Sequence, residues 1–266
     1  MNSISPNLNI MIKASEKASK SLIRDFGEVE KLQISKKGPS DFVTNADLKA
    51  EKTIIEELKK ARPNYSILSE ETGSELNNDK NYTWIIDPID GTSNFLHGIP
   101  HFGISIALKY NSEIISGMVF DPIKNEMFFA EKGSGAFLNN SRIRVSNKKS
   151  LKESMLVTGG PRVSSKKRED IFKEYTKISN IVDIPIRKFG SAALDIANVA
   201  CGRFDGYWQW ELSYWDIAAG IIILKEAGGY IEFLDVNEKN SLKRNIIASN
   251  SKIHQELKDA IKKNIE

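Results

Sequence analysis

Residues 84–94 read Trp84-Ile85-Ile86-Asp87-Pro88-Ile89-Asp90-Gly91-Thr92-Ser93-Asn94. The apolar residues Trp84 to Ile86 predict a buried strand that delivers Asp87 and Asp90 to one turn at its end, with Pro88 fixing the backbone between them. Gly91 and Thr92 then open a short helix, whose free N–H groups favour an anion. Carboxylates beside amide donors suit hard cations on the acids, with a phosphate bridging cations and amides. The same letters also suit an ordinary Asx-rich turn, because Asp, Pro and Gly all favour turns. On this stretch alone the two readings stand level.

Two further acids lie in comparable places. Ser69-Glu70-Glu71-Thr72 follows the apolar run Tyr65 to Leu68, so Glu70 is expected near a strand end. Tyr214-Trp215-Asp216-Ile217-Ala218-Ala219-Gly220 begins an apolar helical stretch with Asp216 in its first turn. Taken singly, Glu70 could be a solvated loop charge and Asp216 a helix-terminus charge. Together with Asp87 and Asp90 they supply four carboxylates, the minimum for two oxygen-bound divalent ions that share a bridging acid.

The chain resembles the inositol monophosphatase family of metal-dependent, lithium-sensitive phosphatases. The matching segments are Asp41-Phe42-Val43-Thr44-Asn45-Ala46-Asp47, Ser69-Glu70-Glu71, Asp87-Pro88-Ile89-Asp90-Gly91-Thr92-Ser93-Asn94-Phe95 and Trp215-Asp216-Ile217-Ala218-Ala219-Gly220. The resemblance spans the chain from first helix to last and is closest to the bacterial branch, some members of which are called extragenic suppressor proteins. It implies an α+β fold, a five-layer αβαβα sandwich, in a single domain over 1–266 with halves of about 1–150 and 151–266 and the metal site between them.

The resemblance also implies roles. Glu70, Asp87 and the carbonyl of Ile89 would hold a first Mg²⁺; Asp87 would bridge to a second held also by Asp90 and Asp216; a third near Glu70 is expected by analogy. Glu70 and Thr92 would orient a water for in-line attack, with Asp47 polarising the Thr92 hydroxyl as well as closing a capping box with Thr44. The Gly91 and Thr92 amides would cradle phosphate. Gly190-Ser191-Ala192 matches the polyol-binding segment of inositol phosphatases, and Asp216 would border the same pocket. Gln209 stands where many relatives carry Glu; it still accepts a hydroxyl hydrogen bond but without charge assistance. Neighbouring Glu211 is a substitute that period-2 alternation would put on the same strand face. Lys36 matches the family's lysine near the metals once Pro39 and Asp41 are aligned, although lysine runs are usually solvated faces. The implied activity is hydrolysis of a small phosphate monoester, myo-inositol monophosphate first, with histidinol phosphate or another sugar phosphate as the alternative. A homodimer is implied as well.

Composition agrees. A net charge of +3 spread over 266 residues demands no nucleic acid, and the single Cys201 excludes an internal disulfide and fits a reducing, cytoplasmic compartment. No segment reaches the length of a membrane span. The three histidines, His97, His101 and His254, have no metal-ligand spacing. The basic run Arg162 to Arg168 is the one cluster that would suit a different class of function, a regulator binding the transcription machinery or RNA.

Periodicity predicts an amphipathic first helix carrying Leu8, Met11, Ile12, Ala18, Leu22, Ile23 and Phe26 and ending near Gly27. A second starts at Thr44 with Leu48, Ile54, Ile55 and Leu58. Residues 103–110, 114–120 and 126–129 read as an antiparallel meander with turns at Asn111-Ser112 and Asp121-Pro122, followed by a hairpin turn at Asn139-Asn140. Beyond about residue 150, strands alternate with helices over 165–178, 191–201, 215–227 and 251–264.

Overall fold

Ser5, Pro6 and Gly27 delimit the first helix as their chemistry requires. Ser5 caps the Leu8 N–H, Pro6 occupies the first turn where no N–H is needed, and the Gly27 N–H closes on the last carbonyls. The computed structural model describes residues 4–28, 34–38, 41–160, 168–234 and 243–262, with the side chains of 34–38, 41–43 and 262 excepted. In chain order the elements are α1 (Pro6–Phe26), β1 (Ile34–Gly38), β2 (Asp41–Thr44), α2 (Asn45–Ala61), β3 (Tyr65–Ser69), β4 (Gly73–Glu75) and β5 (Asp79–Asp90). Next come α3 (Thr92–Leu96), β6 (Gly103–Tyr110), β7 (Glu113–Asp121), β8 (Glu126–Glu131), β9 (Gly135–Leu138), β10 (Ser141–Ile143) and β11 (Leu156–Thr158). The chain closes with α4 (Arg168–Ser179), α5 (Ala192–Ala200), β12 (Gly206–Ser213), α6 (Tyr214–Glu226), β13 (Tyr230–Phe233), β14 (Lys243–Ser249) and α7 (His254–Lys262).

These elements stack as five layers. An eight-stranded sheet in the order β10-β9-β8-β7-β6-β5-β3-β4 carries α1 and α2 on one face, sealed by Met11, Leu22, Ile54, Leu58, Trp84 and Ile106. Its other face packs on α5 and α6, whose small and branched side chains fill the gap to a four-stranded sheet, β11-β12-β14-β13. Helices α4 and α7 cover the far side of that second sheet around Trp208, Trp210 and Leu257. Helix α6 is apolar all round because it lies between two sheets. The predicted meander is present as β6, β7 and β8, each pair antiparallel, with Asn111 and Asn125 taking left-handed backbone at its turns and Asn139 at the expected hairpin turn between β9 and β10.

Three local expectations differ from what the structure shows. Ile23 and Leu48 belong to the expected apolar stripes but are 46% and 47% exposed, because α1 and α2 bury narrower faces built on Ala14, Ala18, Ala46 and Ala50. Strand β5 does not end at Ile86; it runs for 12 residues through Asp90, and a register shift between Asp87 and Asp90 accommodates Pro88 against β6. Glu211 does not share the face of Gln209, since β12 bulges between Gln209 and Leu212 and Glu211 adopts φ +59°.

A buried acid on α4 gives the outer layer a pH response. Glu174 accepts a hydrogen bond from the Trp210 indole at 3.0 Å, and burial pushes its carboxyl up to about 7 against the lowering pull of Trp210, Trp208 and Lys177. As pH rises from the ordinary carboxylate range toward 7, the unfolded chain ionises here before the folded one. The folded state therefore loses up to about 3 kcal/mol over that window and nothing further above it. Glu174→Gln, whose carbonyl still accepts from Trp210, should raise thermal stability at pH 8 relative to the parent and leave it level or lower at pH 5. Parallel melting curves for the two proteins across that range would refute this assignment.

Candidate metal and phosphate site

The turn after β5 is built from backbone constraints. Asp87 Oδ1 accepts the Ile89 N–H at 3.0 Å, closing an Asx turn over Pro88. Gly91 follows with φ +99°, and a Cβ there would come within 3.1 Å of the His101 carbonyl, 3.3 Å of the Gly190 carbonyl and 3.3 Å of Phe102 Cβ. Glycine is thus required twice, by conformation and by space. Helix α3 begins at Thr92, whose hydroxyl lies 3.0 Å from the Ile89 carbonyl and 3.3 Å from Asp47 Oδ1. Asp47 is held in turn by the Thr44 N–H at 2.8 Å and the Thr44 hydroxyl at 2.6 Å, completing the capping box of α2. Burial raises the Asp47 carboxyl, while these hydrogen bonds lower it.

The four acids expected to act together are brought into mutual electrostatic reach. Asp87, Asp90 and Asp216 are buried and Glu70 is half-buried. The Asp87 carboxyl is held well above its usual range, first by burial and then by the charges of Glu70, Asp90 and Asp216, and it hydrogen bonds with Glu70. Asp90 is pushed up to about 7 by burial, then by Asp216, against hydrogen bonds from Ser191 and Ala193. Asp90 Oδ2 accepts the Ser191 hydroxyl and, at 2.7 Å, the Ala193 N–H at the start of α5. Asp216 Oδ2 accepts the Ser213 N–H at 2.9 Å in a second capping box.

Among the described residues no three His, Cys, Asp or Glu side chains stand as a ready-made metal cage. The acids are instead tied to protein donors and to one another. Their chemistry nevertheless fits a hard cation. Neither Asp87 nor Asp90 has a Lys or Arg partner among the described residues, and mutual repulsion of four acids in a buried setting is what a divalent ion relieves. The donors are all oxygen, as Mg²⁺ prefers.

The sequence profile of the inositol monophosphatase family matches residues 4–266. The chain belongs to the inositol monophosphatase family. An inositol-1-monophosphatase of Caulobacter vibrioides is 46% identical over 255 residues, covering 95% of this chain and 99% of that relative. A Nus factor SuhB of Xylella fastidiosa is 41% identical, covering 96% and 94%. The crystal structure of the extragenic suppressor protein suhB from Bartonella henselae superposes with a TM-score of 0.93 at 46% identity, covering 97% of this chain and 99% of that one. The layered α+β sandwich is therefore the fold of this phosphatase family, in which metal dependence is typical.

Other expected residues of the inositol monophosphatase motifs fall as follows. Gly190 has φ +89° and backs onto the Asn94 amide, which binds the carbonyls of His101 and Phe189. Ser191 is buried, and its hydroxyl is committed to Asp90, so it stands behind an acid instead of lining an open wall. Ala192 is buried as the first residue of α5. Gln209 packs against Gly159 and accepts the Tyr207 hydroxyl; it hydrogen bonds to none of the four acids. Lys36 lies in β1, but its side chain is outside what the structure describes, and residues 162–167 of the basic run lie outside the described residues altogether.

One residue near the site escaped the sequence reading. Asp195 on α5 is fully buried, its charge helps raise Asp90, and its nearest basic group is His101 Nε2 at 3.6 Å, an ion-pair distance too long for a hydrogen bond. Burial raises Asp195, with His101 opposing. An acid inside the apolar run Ala192 to Ala200 is the signal that could have found it.

Proposed function

We propose that this chain is a Mg²⁺-dependent phosphomonoesterase that hydrolyses a small polyol phosphate, with myo-inositol monophosphate as the leading substrate. The observation that carries this reading is the convergence of Glu70, Asp87, Asp90 and Asp216 on a turn whose Thr92 hydroxyl is paired with buried Asp47. Glu70, Asp87, Asp90, Asp216 and the Ile89 carbonyl would hold two ions, or three with one near Glu70. When bound, these supply positive charge that offsets the acids and the charge developing on the phosphoryl and leaving oxygens. The Gly91 and Thr92 amides receive phosphate oxygens at the start of α3. Thr92 and Glu70 orient a water toward phosphorus, with Asp47 accepting from the Thr92 hydroxyl and Glu70 taking a proton from the water. The new P–O bond forms as the ester P–O bond breaks, the leaving alkoxide takes a proton from solvent and Glu70 returns its own to solvent, giving inorganic phosphate and the free alcohol.

The supporting comparison is the relatives named inositol-1-monophosphatase at 44–46% identity over most of the chain. A phosphate-release panel with inositol, histidinol, fructose and nucleotide phosphates, with and without Mg²⁺, tests the assignment. Inositol monophosphate should lead and chelator should stop turnover; turnover that survives chelation defeats the reading.

Gln209 is proposed to face the polyol. Its carbonyl already serves the Tyr207 hydroxyl, and Gln209→Glu would add charge to any hydroxyl contact. That change should move relative KM values among polyol phosphates by about five- to thirtyfold while leaving Mg²⁺ dependence unaltered. An unchanged substrate ranking removes Gln209 from the pocket.

The remaining parts of the proposal are cytoplasmic location and homodimer formation. No described helix is long and apolar enough to cross a membrane. Ile99 and Phe189, both exposed and both tied through their backbones to Asn94, are proposed as part of the surface that a second copy covers. Sedimentation as a monomer at micromolar concentration would remove the dimer. A second, regulatory reading is favoured by the relatives named Nus factor SuhB at 38–41% identity. Retention of transcription proteins or RNA by the parent chain, lost when Arg162 and Lys166 are changed, would support it.

A further inference from the structure

Helix α2 carries two buried acids one turn apart, Asp47 and Glu51. The first reaches Thr92. The second reaches the other element expected to act on water, through contacts that no motif announces. Glu51 Oε1 accepts the Ser69 hydroxyl at 3.1 Å and the Thr72 N–H at 2.9 Å, and Oε2 accepts the Glu71 N–H at 2.9 Å. These three donors surround Glu70 on both sides. Residues 70–72 form the tight loop between β3 and β4, with Ser69 paired to Gly73 and Gly73 at φ +80° closing the turn. The Glu70 N–H donates to the Ile86 carbonyl at 3.2 Å, one residue before Asp87.

A three-residue hairpin loop needs no buried carboxylate beneath it. Glu51 is 1% exposed, and no Lys or Arg pairs with it among the described residues, so the loop amides and Ser69 are its compensation. Such an anion costs stability unless its donors are held in place, and in return it fixes the loop that bears Glu70. We propose that Glu51 is a positioning residue: it clamps the Ser69–Thr72 turn from below so that the Glu70 carboxyl is presented beside Asp87. The inference rests on the reading of Glu70 as a cation-site acid. Glu51 touches neither substrate nor ion; it acts through Glu70.

The decisive experiment pairs amide hydrogen exchange with calorimetric titration of Mg²⁺ into the full-length protein. In the parent, the Glu71 and Thr72 amides should be protected. Exchange there at the rate of an open loop overturns the proposal without any variant. Glu51→Gln places an amide NH₂ against at least one N–H donor, so that protection should fall and Mg²⁺ binding should weaken by about ten- to a hundredfold. In a Glu70→Gln background the same change should weaken Mg²⁺ binding little further, whereas equal weakening in both backgrounds marks mere packing and overturns the proposal. Glu51→Asp, which keeps the charge at shorter reach, is the second variant should the glutamine fail to fold. Parent-like Mg²⁺ affinity in Glu51→Asp with loss of loop protection also overturns it. Failure of the underlying reading looks different: the parent itself would then bind no Mg²⁺ while its loop amides stay protected.

Discussion

Asp90→Asn should lower Mg²⁺-dependent phosphate release by about a hundred- to ten-thousandfold, the range for loss of several kcal/mol of charge stabilisation at the transition state. The fold should survive. Asp90 Oδ2 already serves the Ser191 hydroxyl and the Ala193 N–H, and the asparagine carbonyl can take over both bonds. The amide NH₂ then replaces the remaining oxygen and offers a donor where a cation needs an acceptor. In the absence of Mg²⁺ the variant should melt at or above the parent temperature at pH 8. A carboxyl raised to about 7 costs the folded state stability as pH climbs from the ordinary carboxylate range toward that value, a loss complete by pH 8, and asparagine carries no such charge. The measurements are a melting curve and a Mg²⁺ titration of turnover. A folded variant with near-parental turnover at ordinary Mg²⁺ would end the assignment of Asp90 to a cation site.

Thr92→Val should lower kcat by about a hundred- to a thousandfold with KM little changed, as expected for a group that acts on a proton in the transition state. Valine preserves shape but deletes the hydroxyl lying between Asp47 Oδ1 and the Ile89 carbonyl. Thr92→Ser, which restores that hydroxyl, should recover most of the loss. Because Asp47 works through the same hydroxyl, Asp47→Asn combined with Thr92→Val should cost little more than the worse single change. Asp47→Asn alone also removes the charge that strengthens the Thr44 N–H and hydroxyl bonds of the α2 cap, although the asparagine carbonyl can still accept both, so melting curves must accompany the rates. Full kcat in Thr92→Val would remove the Thr92–Asp47 pair from the chemistry.

Much of this architecture was legible because it is local. The apolar spacing that ends near Gly27, Thr44-x-x-Asp47 and the strand runs and turn residues in 103–129 each act within a few residues, and the helices and meander they announce are where they were expected. The extent of β5 was not legible, because the residues 79–83 that begin it are mostly polar and owe their strand geometry to pairing with β3 at Asp79 and Thr83 and with β6 at Tyr82 and Thr83. The bulge that turns Glu211 away was hidden for a similar reason: the Asn245 side chain on a neighbouring strand accepts its N–H at 2.7 Å. At the site, the acids were visible as letters, but their supports were not. Ser191 and Asp90 are 101 positions apart, and Glu51 and Thr72 are 21 apart. No periodicity encodes such pairs; they exist only once sheets and helices have stacked.

Gly91 has a consequence for how members of this family can be recombined. The space a Cβ would need is hemmed by the carbonyls of residues 101 and 190, so segments far apart in sequence meet at a position where the chain carries no side chain. A chimera that takes residues 1–150 from one relative and the remainder from another joins its parents at that seam, where Gly91 itself has no side chain to absorb a misfit. Exchange between relatives is therefore expected to tolerate a swap confined to the meander, which leaves 91, 101 and 190 in one parent's sequence, far better than any single crossover between 101 and 190.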